Sequence, residues 1–574
     1  MMMVFQGEAE NGEVDHMTVT SWEIKRMKMI RKIFVLFFCI AMMIVFPGSL
    51  WNAEAAEERS PRIVIIELHG MKEGIINEKF ENLPHFREML MGGNDDQSYI
   101  YFPRVFVTMP AASVPGISSM YTGFYPKHTG IVSTIWFDRK SHEVRTMISY
   151  GQQRINTILK EKGVTTLFDL VGAAGKRSMT AMLMVTNGVD WPIRSGAFFW
   201  GNASVLGLIE KGFWIPSSRY IDERTVMAFE DGHLFNFCKS LRGIAKYGWE
   251  IPHVMVIQLL GTDLYSHYPP SELICAHATM NGIQRQYAEA VLDPLMVHIM
   301  ETLKDVGCYE DTVFILVSEH GFTKIESFLS NNLVDDSLQG AFRLPGGGIG
   351  CGDADAVIMP GASTKEIYLK NRETGIWLDP PRLLRDVKPA VDLLLQNDEI
   401  SEHMNALVIR QYPGERNEGV VEDDCWWCFD CDGYDSDTGD DGFLKALKPM
   451  AKLSCRFELK DYVVDGLRNQ YTRTTAPDIK IINKRGSYFE NDRRKYGHHG
   501  SYYRSDSVVS FWVGGPGLKG VFPGRHIVRQ NVSTRDLVPL VLFMLGIPVP
   551  DGLDGINPLQ YLIEGRTDGP MPHR

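Results

Sequence analysis

Apolar residues fall into short unbroken runs along this chain, and between those runs they recur at helical spacing. Arg62–Leu68 (RIVIIEL), 252–260 (PHVMVIQLL), 312–318 (TVFILVS) and 508–513 (VVSFWV) are apolar with little polar alternation. Strands that are apolar on both faces belong to a mostly parallel sheet, because crossover helices cover either side of it. Residues 283–306 place apolar side chains about 3.6 positions apart and are followed by Gly307, which predicts a helix with a glycine stop. The alternation predicts an α/β sandwich whose site gathers where strands end and loops begin. Between 323 and 475 the rhythm breaks at Gly346-Gly347-Gly348, at Pro380-Pro381 and in an acidic stretch at 422–441, which predicts an inserted cap subdomain.

The N-terminal region has a different character. Met27-Lys28-Met29-Ile30-Arg31-Lys32 is basic, Ile33 to Phe46 is an apolar run of 14 residues, and Ala53-Glu54-Ala55 is a small-residue cleavage pattern. These are the three parts of an export signal, and the run is shorter than the ~20 residues that a spanning helix needs. The expected organisation is 1–26 a mis-called start, 27–55 a signal peptide, 56–322 the first part of a catalytic core, 323–475 the insertion and 476–574 the closing part. The protein is therefore expected outside the cytoplasm, periplasmic or secreted, with membrane attachment only if the signal stays uncleaved.

Composition narrows the classes. A net charge of −12 over 574 residues supplies no basic excess, so binding to a nucleic-acid polymer is not expected. Nine cysteines, less Cys39 in the signal, leave eight. Cys425, Cys428 and Cys431 have the spacing C-x-x-C-x-x-C, open to zinc with a fourth ligand or to a disulfide with a further partner such as Cys455; export favours the disulfide. Asp430 to Asp441 carries six Asp residues, but Gly439 spoils an EF-hand match, so a solvated loop is expected.

The candidate chemistry sits beside the apolar runs. Glu67-Leu68-His69-Gly70 ends the first strand; Ser113-Val114-Pro115-Gly116 and Thr122 to Pro126 (TGFYP) follow; then come Asp263-Leu264-Tyr265-Ser266-His267, Ser318-Glu319-His320-Gly321 and Gly497-His498-His499-Gly500. Carboxylates and imidazoles in these numbers are the ligands of a borderline cation such as Zn²⁺. Two such clusters sharing a hydroxyl make a two-metal phosphoryl site.

In the order of these segments the chain resembles the alkaline phosphatase superfamily, and within it the type I phosphodiesterase/nucleotide pyrophosphatase family, from about Arg62 to Leu559. The resemblance implies an alkaline-phosphatase-like α/β/α sandwich with a mostly parallel central sheet and an inserted cap subdomain. It implies a hydrolase of small-molecule phosphoric esters that works through a covalent phospho-serine at Ser113. Two divalent metal ions, expected to be Zn²⁺, would be held by Asp263, His267 and His499 on one side and by His69, Ser113, Glu319 and His320 on the other. Three departures from the family pattern stand out: His69 and Glu319 replace Asp, and Gly116 stands where many phosphodiesterases carry Asn. Glu67, two residues before His69 on the same strand face, is the expected compensating carboxylate, as metal ligand or support. His498 competes with His499 for one position, and His499 is preferred because it directly precedes the glycine. The alternatives are a metal- or ligand-binding protein of the same fold without catalysis, or a sulfatase or phosphomonoesterase of the superfamily. Ile117 stands where the sulfatase signature needs Arg.

Overall fold

The computed structural model describes residues 60–92, 97–147, 151–193, 223–270, 279–348, 350–412, 426–432, 434–450, 452 and 456–565. The expected signal and mis-called start lie outside the described residues, as do Cys275, Cys425 and Cys455. From Ser60 onward the chain is one compact unit.

Setting aside the hairpin Ile135–Asp138 with Glu143–Thr146 and the two- and three-residue strands of the smaller sheets, the first strands along the chain are β1 (Arg62–Leu68), β2 (Tyr99–Phe106), β3 (Ser178–Ala181), β4 (Trp191–Ile193), β5 (Val254–Leu259) and β6 (Thr312–Val317). Next come β7 (Ala356–Pro360), β8 (Thr364–Leu369), β9 (Met404–Arg410), β10 (Trp426–Phe429), β11 (Leu447–Pro449) and β12 (Ile479–Asn483). The chain closes with β13 (Val508–Gly514), β14 (Arg525–Ile527) and β15 (Val532–Ser533). The large sheet has the order β14-β2-β13-β6-β1-β5-β3-β4, with β15 also paired to β2. β1 lies between β5 and β6 and is parallel to both, with Glu67 level with Gln258 on one side and with Val317 on the other.

The prediction of parallel strands fails for 508–513. β13 pairs antiparallel with β6 and β2, because the chain reaches it directly from the 497–507 segment at the carboxyl end of β6 rather than through a crossover helix. The predicted helix at 283–306 is realised as three segments in direct succession, Met280–Tyr287, a π-helical turn Ala288–Leu292 and Asp293–Asp305, with Gly307 left-handed (φ 71°) close behind.

Strand alternation explains the layering. Ile63 and Ile65 of β1 point into one core with Val114, Ile117 and Tyr121 of the helix Ser113–Thr122. Val64, Ile66 and Leu68 point into the opposite core with Ile283, Met296 and Leu303. Odd positions of β1 thus face the Ser113 helix, and Glu67 and His69 inherit that direction.

The 323–475 stretch supplies a second sheet, antiparallel throughout, in the order β7-β8-β12-β9-β10-β11. One of its inner strands, β12, lies at 479–483, beyond the expected boundary at 475. The acidic loop is only partly a loop: Ser436–Thr438 and Gly439–Ala446 are helical, with Asp440 and Asp441 in the first turn, where carboxylates oppose the helix dipole. Cys428 and Cys431 are both free thiols.

Arg139, just past the strand Ile135–Asp138, ties the two-stranded hairpin 135–146 to the second sheet. Its guanidinium donates to the carbonyls of Leu369, Trp377 and Ala476 and pairs with Asp478. Arg139 is 3% exposed and Asp478 fully buried. Removing one partner of such a pair strands the other charge, so Arg139→Ala is expected to cost about 3–5 kcal/mol in urea unfolding. A loss below about 1 kcal/mol, the value of a surface pair, would show that the clamp does not hold the hairpin to the second sheet.

Candidate active site

Each candidate residue is delivered by a strand end. His69 follows β1, and Gly70 behind it is left-handed (φ 72°); a Cβ there would come within 3.2 Å of Asp263 Oδ1, so the turn needs glycine. Asp263 and His267 lie four apart on the helix Gly261–His267, which follows β5 after one residue. Glu319 and His320 follow β6, and His498 and His499 arrive from the segment before β13. Ser113 is the first residue of its helix. The carboxyl ends of β1, β5 and β6 therefore supply three of the segments, at the sheet edge where open α/β folds place their ligands.

All the residues proposed from sequence come together. Their potential ligand atoms group as His69, Asp263 and His320, as Glu67, His69 and Glu319, and as His267, His498 and His499, each set within 4.8 Å. Ser113 Oγ lies 3.0 Å from His69 Nε2 and 3.2 Å from His320 Nε2. Asp263 does not belong to one side alone: its Oδ1 is 3.5 Å from His499 Nε2 and 4.0 Å from His320 Nε2, while its Oδ2 is 3.6 Å from His267 Nε2.

The hydrogen bonds fix which ring nitrogens are free. His267 Nδ1 faces Gly497 O at 2.8 Å, His320 Nδ1 faces Gly321 O at 2.9 Å, and His499 Nδ1 faces Ala111 O at 3.3 Å. A carbonyl oxygen only accepts, so each Nδ1 carries the proton, and in the neutral ring Nε2 is a bare lone pair. Burial pulls His267 down to about 4 and His499 well below its usual value, so both rings are neutral. Their lone pairs point at Asp263, and His320 Nε2 lies 3.1 Å from Glu319 Oε1. Asp263 Oδ1 and both Glu319 oxygens are buried without a well-formed hydrogen bond. The His267 and His499 lone pairs repel the undonated Asp263 oxygens unless a cation lies between them, and Glu319 has the His69 ring beside it at 2.8 Å, so the donor set fits divalent metal.

His498 differs from His499 in this respect. Its Nδ1 accepts the His499 amide at 2.9 Å, which leaves the proton on Nε2, on the side of Glu490 (3.7 Å). It is a neighbour of the cluster rather than an equivalent donor.

Behind the cluster, Glu67 is fully buried, accepting from Tyr121 OH at 2.9 Å and Gln258 Nε2 at 3.1 Å. The same Gln258 nitrogen lies 2.9 Å from His69 Nδ1. Burial, with Glu319 adding to it, raises Glu67 to about 8. Burial alone would lower His69, but the Glu319 carboxylate 2.8 Å away outweighs it and lifts the ring to about 9. Glu319 itself, against its burial, is held below the usual carboxylate range by His69 and His320. Gly116 has a local reason: a Cβ there would lie 3.1 Å from Glu319 O and 3.3 Å from Glu319 Cβ, so the bare glycine lets the helix approach the longer Glu319 side chain.

A cavity of about 1340 Å³ opens over Ser113, His69, Asp263, His267, His498 and His499. The sequence reading missed Gln258, Tyr121, and the cavity hydroxyls of Ser133 and Thr134. Gln258 alone left a signal, as the polar residue inside an otherwise apolar run. The others are ordinary residue types whose role exists only in three dimensions.

Residues 63–501 match the family model described as type I phosphodiesterase/nucleotide pyrophosphatase. Among solved structures, the chain is similar to human ectonucleotide pyrophosphatase/phosphodiesterase 5, at 14% identity over 85% of this chain and 96% of that one, with a TM-score of 0.50. The murine protein of the same name matches at 13% identity over the same shares, with a TM-score of 0.49. The likeness to these structures is one of fold. The comparison with curated proteins returns no match.

Glu67 reaches the candidate ligands through Gln258 and, once a nearby cation holds it ionised, through its charge, so removing its carboxyl should loosen their hold on that cation. Glu67→Gln is expected to weaken Zn²⁺ binding by about tenfold in a competitive chelator titration, while His69→Asp keeps it. An unchanged affinity in Glu67→Gln would show that the carboxylate does not serve the cluster.

Proposed function

The chain belongs to the type I phosphodiesterase/nucleotide pyrophosphatase family, phosphoester hydrolases of the alkaline phosphatase superfamily, and from that premise we infer that it is an exported, zinc-dependent hydrolase of small phosphodiesters. The observation that carries the reading is the placement of Ser113 Oγ within 3.0 and 3.2 Å of two imidazole nitrogens, beside the buried carboxylates of Asp263 and Glu319.

Asp263, His267 and His499 would hold one cation, and Glu319, His320 and His69 the other. When bound, such cations supply positive charge for the phosphoryl oxygens and lower the pKa of a coordinated hydroxyl or water. Ser113 presents its oxygen to phosphorus from the first turn of a ten-residue helix, whose free amides and dipole favour the negative charge of the phosphoryl group. Attack by Oγ breaks the ester bond and releases the alcohol, and water then cleaves the phospho-serine to restore Ser113. The Ser133 and Thr134 hydroxyls line the same cavity and offer hydrogen bonds to the substrate.

Cavity chemistry supports a diester over a monoester. Its described lining contains Lys160 and Lys495 but no arginine, so nothing forks around a dianionic phosphate. Lys495 is moreover paired with Glu490. The volume leaves room for substituents on both sides of phosphorus. Export rests on the basic, apolar and small-residue parts of 27–55.

The zinc-loaded protein is expected to hydrolyse bis(p-nitrophenyl) phosphate faster than p-nitrophenyl phosphate. Faster monoester turnover would overturn the assignment, and inactivity toward both would favour a binding protein of this fold. Ser113→Ala should abolish turnover with Zn²⁺ content and melting temperature nearly unchanged, because a single hydroxyl is lost. Activity within about tenfold of the parent would exclude covalent catalysis by Ser113.

A further inference from the structure

Asp506 lies in the short helix Arg504–Ser507 and is fully buried. It faces none of the candidate ligands directly. Its Oδ2 accepts the Ser501 amide at 2.9 Å and the Tyr488 hydroxyl at 3.1 Å, and its Oδ1 accepts the Thr323 hydroxyl. Its own carbonyl accepts the Gly321 amide at 2.7 Å.

These four bonds run to the two site segments and to a third, the strand Ser487–Phe489 that carries Tyr488. Gly321 and Thr323 directly follow Glu319-His320. Ser501 follows His498-His499-Gly500, and Tyr488 stacks flat on the His498 ring, with centroids 5.3 Å apart and planes at 6°. The same two segments pair as a short ladder, His498 with Thr323 and Gly497 with Lys324. Gly321 meets the Asp506 helix so closely that a Cβ would lie 2.2 Å from Ser505 O. Where the segments meet the cavity, the His320 and His499 rings stack at 3.8 Å and 17°.

We propose that Asp506 is a positioning residue: it locks the Glu319–His320 segment to the His498–His499 segment and thereby sets the spacing between the two cation sites. The proposal rests on the metal-dependent reading above. The physical reason is that the two segments share no covalent tie closer than the 177 residues separating His320 from Gly497. Alongside that short ladder, a buried carboxylate holding donors from both sides fixes their register, since each charge-assisted bond is about twice as strong as a neutral one. Side chains that orient metal ligands in this way change metal affinity when altered, without touching the metal.

The test uses the full protein, freed of metal by chelation and titrated with Co²⁺, whose visible d–d bands report coordination geometry. The parent should bind two Co²⁺ per chain. Asp506→Asn removes the charge and one acceptor and is expected to weaken Co²⁺ binding about tenfold and to shift the bands. Tyr488→Phe removes a single donor to Oδ2 while keeping the ring on His498; it should change both readouts in the same direction by less, and it carries the test if Asp506→Asn does not fold. Unchanged affinity and bands in folded variants, with only a lower melting temperature, would make Asp506 a stabilising residue and overturn the proposal. A parent that binds no Co²⁺ would overturn the metal-dependent reading and this proposal with it, before any variant is made.

Discussion

Asp263 and Glu319 carry buried oxygens without well-formed hydrogen bonds, and the fold aims imidazole lone pairs at them. Electrostatics makes the Asp263 side of this arrangement costly in a metal-free state, because the neutral His267 and His499 rings offer its carboxylate no positive charge, and on the Glu319 side the His69 ring 2.8 Å away is what supplies it. It becomes favourable once a cation lies between them. The backbone carbonyls of Gly497, Gly321 and Ala111 enforce the arrangement by taking the Nδ1 protons of His267, His320 and His499. The rest of the site serves that constraint: glycines at 70, 116 and 321 allow the close approaches, and Ser113 sits where the two imidazole nitrogens converge.

The sheet explains how residues 250 positions apart in sequence meet. Parallel pairing of β1 with β5 and β6 brings three strand ends level. Alternation along β1 then sends Glu67 and His69 toward the Ser113 helix rather than into the opposite layer. β13, the antiparallel strand beside β6, begins at the same end of the sheet, so the preceding His498-His499 segment enters the site without a crossover. An antiparallel neighbour is what lets a late segment of the chain close the site begun by the first strand.

Much of this was legible in the amino-acid sequence because it depends on local pattern. β1 was read to its residue boundaries, since an apolar run bounded by Arg62 and by His69-Gly70 has few other conformations open to it. The order of the site segments was legible for the same reason, each being a strand followed by a polar motif. The direction of β13 was not legible, because a run apolar on both faces looks the same in either orientation. Nor was the second sheet, whose strands take partners as far apart as Thr364 and Ile482. The supporting residues Gln258 and Tyr121 stayed hidden because a hydrogen bond across 54 or 191 positions leaves no spacing to read, and Asp506 did so because its link to Thr323 spans 183. The His498 and His499 pair was separated only by the direction of one backbone amide.

The most direct test of the account is anomalous X-ray diffraction from crystals of the unaltered protein soaked in Zn²⁺. Two peaks are predicted, one bounded by Asp263, His267 and His499 and the other by Glu319, His320 and His69. Their absence, with protons shared between the carboxylates and the imidazoles instead, would contradict the view that these lone pairs are set to hold metal.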